Sequence, residues 1–141
     1  AVTGYLQKTG QKAAAENNIG LISRIVFESL AMKYRFVFDR LKAAAGKELE
    51  TLHIIGGGTK NSLLNQLTAD IMGVRILTGP VEASAAGNIL LQAFGCGELS
   101  SHDELREAVR NSFVLEEYLP SGKGETENAY SRFLKITGLN V

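Results

Sequence analysis

The chain has 141 residues, enough for one ordinary globular domain, and 45% of them are apolar, which suffices to fill a core. Its 15 Lys and Arg balance its 15 Asp and Glu, with no cluster of one sign longer than a few residues, which argues against a nucleic-acid partner and against an anionic membrane surface. Cys96 is the lone cysteine, so an intrachain disulfide is excluded, and no apolar run approaches the roughly 18 residues that span a bilayer.

The N-terminal stretch AVTGYLQKTGQK lacks the basic-then-apolar order of a signal peptide and begins without methionine. A cytoplasmic chain cut from something larger is expected. Residues 1–18 are polar, with Gly4, Gly10 and Asn17-Asn18, and read as a mostly irregular lead-in with a short helical turn at Lys12 to Glu16. From Ile19 the pattern changes. Ile22, Ile25, Val26, Leu30, Tyr34, Val37, Phe38 and Leu41 recur at steps of three and four, and neither Pro nor Gly interrupts Leu21 to Ala45. The spacing predicts one long amphipathic helix closed by Gly46, with Arg24, Glu28, Lys33, Arg35 and Arg40 on a solvated opposite face.

The stretch Leu52 to Asp70, LHIIGGGTKNSLLNQLTAD, then reads as strand, tight turn and helix: an apolar run over Leu52 to Ile55, three glycines, and apolar periodicity from about Asn61. Gly56, Gly57 and Gly58 lack a Cβ, so main-chain atoms there can approach a ligand closely. The first N–H groups of the following helix lack intrahelical partners and sit at its positive end, which favours an anion. The same pattern also suits a connection that needs glycine only to turn, and the motif alone leaves both readings open.

Val74 to Thr78 is a second strand candidate, followed by a Gly79-Pro80 turn and the helical stretch EASAAGNILLQAFG. Ala83, Ala85, Ala86, Gly87 and Ala93 make that helix thin along one side, so a neighbouring backbone can come close. A helix between the two strands predicts a parallel pair and an α/β architecture. Ser101-His102-Asp103-Glu104 matches a capping box, placing a helix from Ser101 to about Asn111. After Pro120 a loop over Ser121 to Gly124 leads to a last helix, Glu125 to Ile136, with Ala129, Tyr130, Phe133 and Leu134 as its apolar stripe. His53 and His102 are isolated from other ligand types, so metal binding has no support, and Cys96 reads as a buried or indifferent thiol.

Two familiar nucleotide motifs fail on one residue. A P-loop and the dinucleotide fingerprint, both started at Gly56, each require glycine at the position held by Asn61.

Three blocks nevertheless carry a resemblance. FESLAMKYR, GGGTKNSLLNQLTAD and GPVEASAAGNILLQA, at their spacing between Ile19 and Leu99, resemble the C-terminal part of the FGGY carbohydrate kinases, nearest to the branch acting on L-rhamnulose. The resemblance implies an actin-like, ribonuclease H-like ATPase domain with few parallel strands and packed helices. It implies a two-lobed enzyme that phosphorylates a sugar, here L-rhamnulose at its 1-hydroxyl, using ATP and Mg²⁺. Xylulose, glycerol or gluconate as substrate, or a non-catalytic α/β interaction domain, stand as alternatives.

Carried over by motif, a nucleotide-contacting role falls on Gly56 and Gly57, with Gly58 adjoining, and an adenosine-facing role on Asn61. An amide side chain at Asn61 can donate to and accept from a base or ribose. Gln66, Asp70 and Glu82 also match, and read as structural. The resemblance places the catalytic base, the phosphate loops, most of the Mg²⁺ site and the sugar pocket earlier in the full-length enzyme. Residues 1–141 are then one domain, the C-terminal portion of the kinase, without activity of its own and with apolar surface open to self-association.

Overall fold

The computed structural model describes residues 1–12, 18–122 and 126–139. Helix α1 spans Val2–Lys8, where an irregular lead-in was expected. Its polar composition hides one inward residue, Leu6, which is buried. Of the helical turn expected at Lys12 to Glu16, only Lys12 lies among the described residues, and it is not helical.

Helix α2, Ile19–Ala45, is the long helix that the periodicity requires, about 40 Å from end to end. Its start is fixed by Asn18, whose side chain accepts from the Leu21 N–H at 3.0 Å. Its end is fixed by Gly46 in the left-handed region at φ 59°. The face it buries is not the expected one. Of the predicted stripe only Phe38 is buried, while Val26, Leu30, Tyr34, Val37 and Leu41 are exposed. Ala31 and Phe36 are buried instead, and Phe27 is packed with Ala31. A helix with apolar residues on several rows can bury whichever row its neighbours meet.

The supposedly solvated charges are also partly engaged. Arg24 pairs with Glu28 at 2.6 Å, and Lys33 and Arg40 lie over the ring of Phe36 at 4.8 and 4.6 Å. Arg35 is only 16% exposed and enters the interior.

Strands β1, Thr51–Ile54, and β2, Arg75–Thr78, pair in parallel with Thr51 opposite Arg75 and Ile54 opposite Thr78. Helix α3, Ser62–Met72, links them, as the α/β reading requires. A third strand, β3, Glu116–Tyr118, pairs antiparallel on the other edge of β2, with Thr78 opposite Glu116. It carries two exposed carboxylates in three residues and has no apolar alternation by which a sequence reading could find it.

Helix α3 packs between α2 and the sheet. Ala31, Leu67 and Ile71 form the buried cluster with Phe27, Met32 and Leu64 around it, and Ile76 in the middle strand is fully buried. Helix α4, Ala83–Gly95, and helix α5, His102–Ser112, follow, and neither buries a residue. Ser101 accepts from the Glu104 N–H at 3.2 Å, and Glu104 reaches back to the Ser100 N–H at 2.7 Å, so the capping box is shifted by one residue on its return arm. Along the thin side of α4, Ala83, Ala86, Gly87 and Ala93 are half-buried and Ala85 is exposed, and a Cβ at Gly87 would meet nothing within 4 Å. No described backbone uses the room there.

Helix α6, Thr126–Thr137, closes the chain. Tyr130 is buried and stacks with Phe133 at 6.4 Å, Leu134 is half-buried, and Ala129 faces solvent rather than the stripe. Among the described residues no helix is long and apolar enough to cross a membrane.

Candidate functional site

The glycine turn leaves β1 at its C-terminal end, where open α/β sheets leave a crevice for ligands. Gly56 has φ 81° and ψ −163°, a conformation essentially limited to glycine. The chain then makes one 3₁₀ turn, Gly57–Lys60. Both the N–H and the hydroxyl of Thr59 donate to the Gly56 carbonyl, at 3.1 and 2.8 Å, and the Asn61 N–H donates to the Gly58 carbonyl at 3.2 Å.

A second loop is tied alongside. The Gly56 N–H donates to the Pro80 carbonyl at 3.2 Å, and the Gly79 N–H donates to the Ile54 carbonyl at 2.9 Å. Gly79 itself has φ 112°, and a Cβ there would come within 3.1 Å of Leu115. That glycine is required by the fold.

Gly57 and Gly58 differ from it. Neither has a positive φ, both are exposed, and a Cβ at Gly57 would meet nothing, while one at Gly58 would make only an ordinary contact with Ile54 at 3.9 Å. The chain's own packing therefore gives no reason for glycine at either position. Both carry the entropic cost of glycine and leave bare backbone facing outward.

Asn61 is the N-cap of α3: its side-chain oxygen accepts from the Leu64 N–H at 3.0 Å. One lone pair of its carbonyl is thus committed, and the two amide hydrogens are the donors it has to offer. One turn on, Asn65 is 1% exposed and donates to the Thr59 carbonyl at 2.9 Å. The sequence singled out neither Thr59 nor Asn65, because buried polar residues in a helical stripe give no periodic signal.

The other matched residues have internal tasks. Gln66 donates to Asp70 at 3.0 Å and to the Leu119 carbonyl at 2.9 Å, and Asp70 accepts from the Ser121 N–H at 2.7 Å. Together they clamp the chain leaving β3. Glu82 is the N-cap residue of α4 without a side-chain cap bond. Tyr118 on β3 donates to Glu116 at 2.8 Å, and that hydrogen bond, with burial second, raises its pKa above 10.0.

His53 and His102 are exposed, His102 stacking on Phe94 at 5.7 Å, and Cys96 is exposed rather than buried. Among the described residues no three His, Cys, Asp or Glu side chains converge as a metal site would need. An open groove of about 1090 Å³ lies between α1, α2 and α6, and the glycine turn is not among its lining residues.

The sequence profile of the FGGY family of carbohydrate kinases, C-terminal domain, matches residues 6–96, which include the whole glycine turn. The chain belongs to this family. Two rhamnulokinases are similar to it: that of Bacteroides thetaiotaomicron (strain VPI-5482) is 40% identical over 133 residues, 94% of this chain and 27% of the relative. That of Klebsiella pneumoniae (strain 342) is 40% identical over 112 residues, 79% of this chain and 23% of the relative. The chain thus spans about a quarter of the length of the curated relatives it matches. As an FGGY C-terminal domain, it has the actin-like, ribonuclease H-like fold to which a small mixed sheet with packed helices belongs.

Proposed function

We propose that this chain forms the adenosine-facing wall of the nucleotide cleft of an ATP-dependent sugar kinase that phosphorylates L-rhamnulose at its 1-hydroxyl. The carrying observation is the pair Gly57 and Gly58, exposed and unstrained, for which the fold itself has no use. Bare backbone beside the start of a helix is what a nucleotide needs from a wall that lies close against it. Gly56 aims the turn, Gly57 and Gly58 admit the ligand, and the Asn61 amide hydrogens donate to an acceptor on the ribose or base. Kinship with the two rhamnulokinases supports the sugar.

The reading gives this chain binding rather than chemistry. A carboxylate base for the sugar hydroxyl, the loops for the β- and γ-phosphates and most of the Mg²⁺ site belong to the rest of such an enzyme. ATP as donor implies the cytoplasm.

The test is a nitrogen-15 NMR titration of the chain with ADP. Shifts centred on Gly56 to Asn61 are expected, at millimolar rather than micromolar concentrations because one wall buries little of the ligand. Shifts that spare this turn and move another surface would remove the assignment. No ADP should form when the chain is mixed with ATP, Mg²⁺ and L-rhamnulose; turnover would overturn the placement of the base.

A further inference from the structure

We infer that Asn65 is the positioning residue of the glycine turn, holding the backbone of Gly56 to Lys60 in its ligand-facing shape through Thr59. This rests on the nucleotide reading only for its consequence on affinity; the positioning itself is independent of it.

Asn65 is fully enclosed on α3, a place where an apolar residue would ordinarily sit. It is poorly served there. Its amide interacts with the Tyr118 side chain on β3, where it opposes the rise of the tyrosine pKa, and its Nδ2 donates to the Thr59 carbonyl at 2.9 Å, but its Oδ1 is buried without a hydrogen-bond partner among the described residues. Turning the amide over would set Oδ1 against the Thr59 carbonyl, oxygen to oxygen, so the Thr59 bond fixes the orientation. An enclosed amide that satisfies only one end costs stability that a leucine would not. The end that is satisfied points to what the residue is for.

From Thr59 the constraint runs to the site. Thr59 is buried, and its N–H and hydroxyl both hold the Gly56 carbonyl. The Gly56 N–H in turn holds Pro80. Gly57 and Gly58 lie inside this bracket with no packing of their own to fix them. Without Asn65, Thr59 would lose its side-chain tie to α3, and the tripeptide would keep only the bonds at the Gly56 carbonyl and N–H and the Asn61 N–H on the Gly58 carbonyl. An ordered turn loses less entropy when a ligand arrives, so Asn65 contributes to affinity without touching the ligand.

The experiment compares Asn65→Leu and Asn65→Asp, which remove the donor while keeping size, with Thr68→Val. Thr68 is equally enclosed on α3 but bonds only to Leu64 of its own helix, so it controls for a general loss of stability. The readouts are ligand-free amide shifts and hydrogen exchange at Gly56 to Asn61, followed by ADP titration. Both Asn65 variants are expected to shift these amides, to speed exchange at Asn61, and to weaken ADP about fivefold to tenfold. Thr68→Val is expected to leave the turn in place. Unmoved turn amides in a folded Asn65 variant would overturn the inference.

If the Leu and Asp variants fail to fold, Asn65→Ala, which removes the donor to the Thr59 carbonyl without adding bulk or charge, decides: displaced turn amides are expected, and wild-type turn signals in that variant would sink the idea. Absence of any ADP response in the unmutated chain would remove the nucleotide reading, while the ligand-free shifts would still judge the positioning.

Discussion

Arg35 lies with its guanidinium 4.1 Å above the ring of Tyr130, joining α2 to α6 across 95 residues of sequence. The same side chain donates to the Ile71 carbonyl at 3.2 Å, at the C-terminal end of α3 where a cation is favoured, and pairs with Glu127 at 2.7 Å. Three helices therefore meet on one residue. Arg35→Ala is expected to destabilise the chain by about 2 kcal/mol, combining a lost cation–π contact with a partly buried carbonyl left unpaired. Arg35→Lys should recover less than half, since an ammonium cannot stack flat and bond two ways at once. Urea unfolding of the three proteins measures both; equal stabilities would show the contact to be incidental.

Tyr130 and Tyr118 are expected to weaken the fold at alkaline pH. Burial first, then the charge of Asp39, raises the Tyr130 pKa above its ordinary 10.0, against the opposing pull of Arg35. The Tyr118 pKa is raised by its bond to Glu116. A raised folded-state pKa means the fold holds the proton more tightly than the unfolded chain does. That stability is fully present below pH 10 and is lost as pH rises through the folded values. Thermal midpoints are expected to be flat across pH 8 to 9 with respect to these groups and to fall above pH 10. Tyr130→Phe should flatten the fall, and an unchanged slope in that variant would assign the loss elsewhere.

Asp70 and Gln66 match the family's pattern close to the glycine turn, yet their bonds go to Leu119 and Ser121. Asp70→Ala is expected to cost about 1–2 kcal/mol and to speed hydrogen exchange from Tyr118 to Ser121. ADP-induced shifts at Gly56 to Asn61 should persist in the folded fraction. Their loss, with exchange at Ser121 unaltered, would make Asp70 a ligand residue.

How far the sequence led depends on where each signal is stored. The ends of α2 and α3 are written locally, in Asn18, Gly46 and Asn61, because a cap is a bond between near neighbours. The parallel pair follows from an intervening helix, again a local inference. Three features are not local. Strand β3 exists because β2 offers it an edge, and Glu116-Glu117-Tyr118 has no period of its own. The buried row of α2 was chosen by α3, not by α2, since Phe27 and Ala31 compete with Val26, Leu30, Val37 and Leu41 on the same helix. At the site, the glycines were legible as residue types. The bracket from Asn65 through Thr59 to Gly56 was not, because it joins positions whose relation appears only after the turn has closed.

The misjudged face of α2 leads to the last prediction. Val26, Leu30, Val37 and Leu41 recur at steps of four, seven and four and are all at least 36% exposed, so they form one continuous row along the helix. Ile89 and Leu91 add exposed apolar surface on α4. Burying apolar area yields about 25 cal/mol per Å², so even a few hundred Å² covered by another copy would favour association at high concentration. The chain is expected to self-associate reversibly, with light scattering showing an apparent mass that rises with concentration. Two charges placed in the row, Val37→Lys and Leu41→Glu, should restore a monomer while leaving the thermal midpoint nearly unchanged, because neither side chain is buried in the core. A wild-type chain that stays monomeric into the millimolar range would show that this row is tolerated by water as it stands.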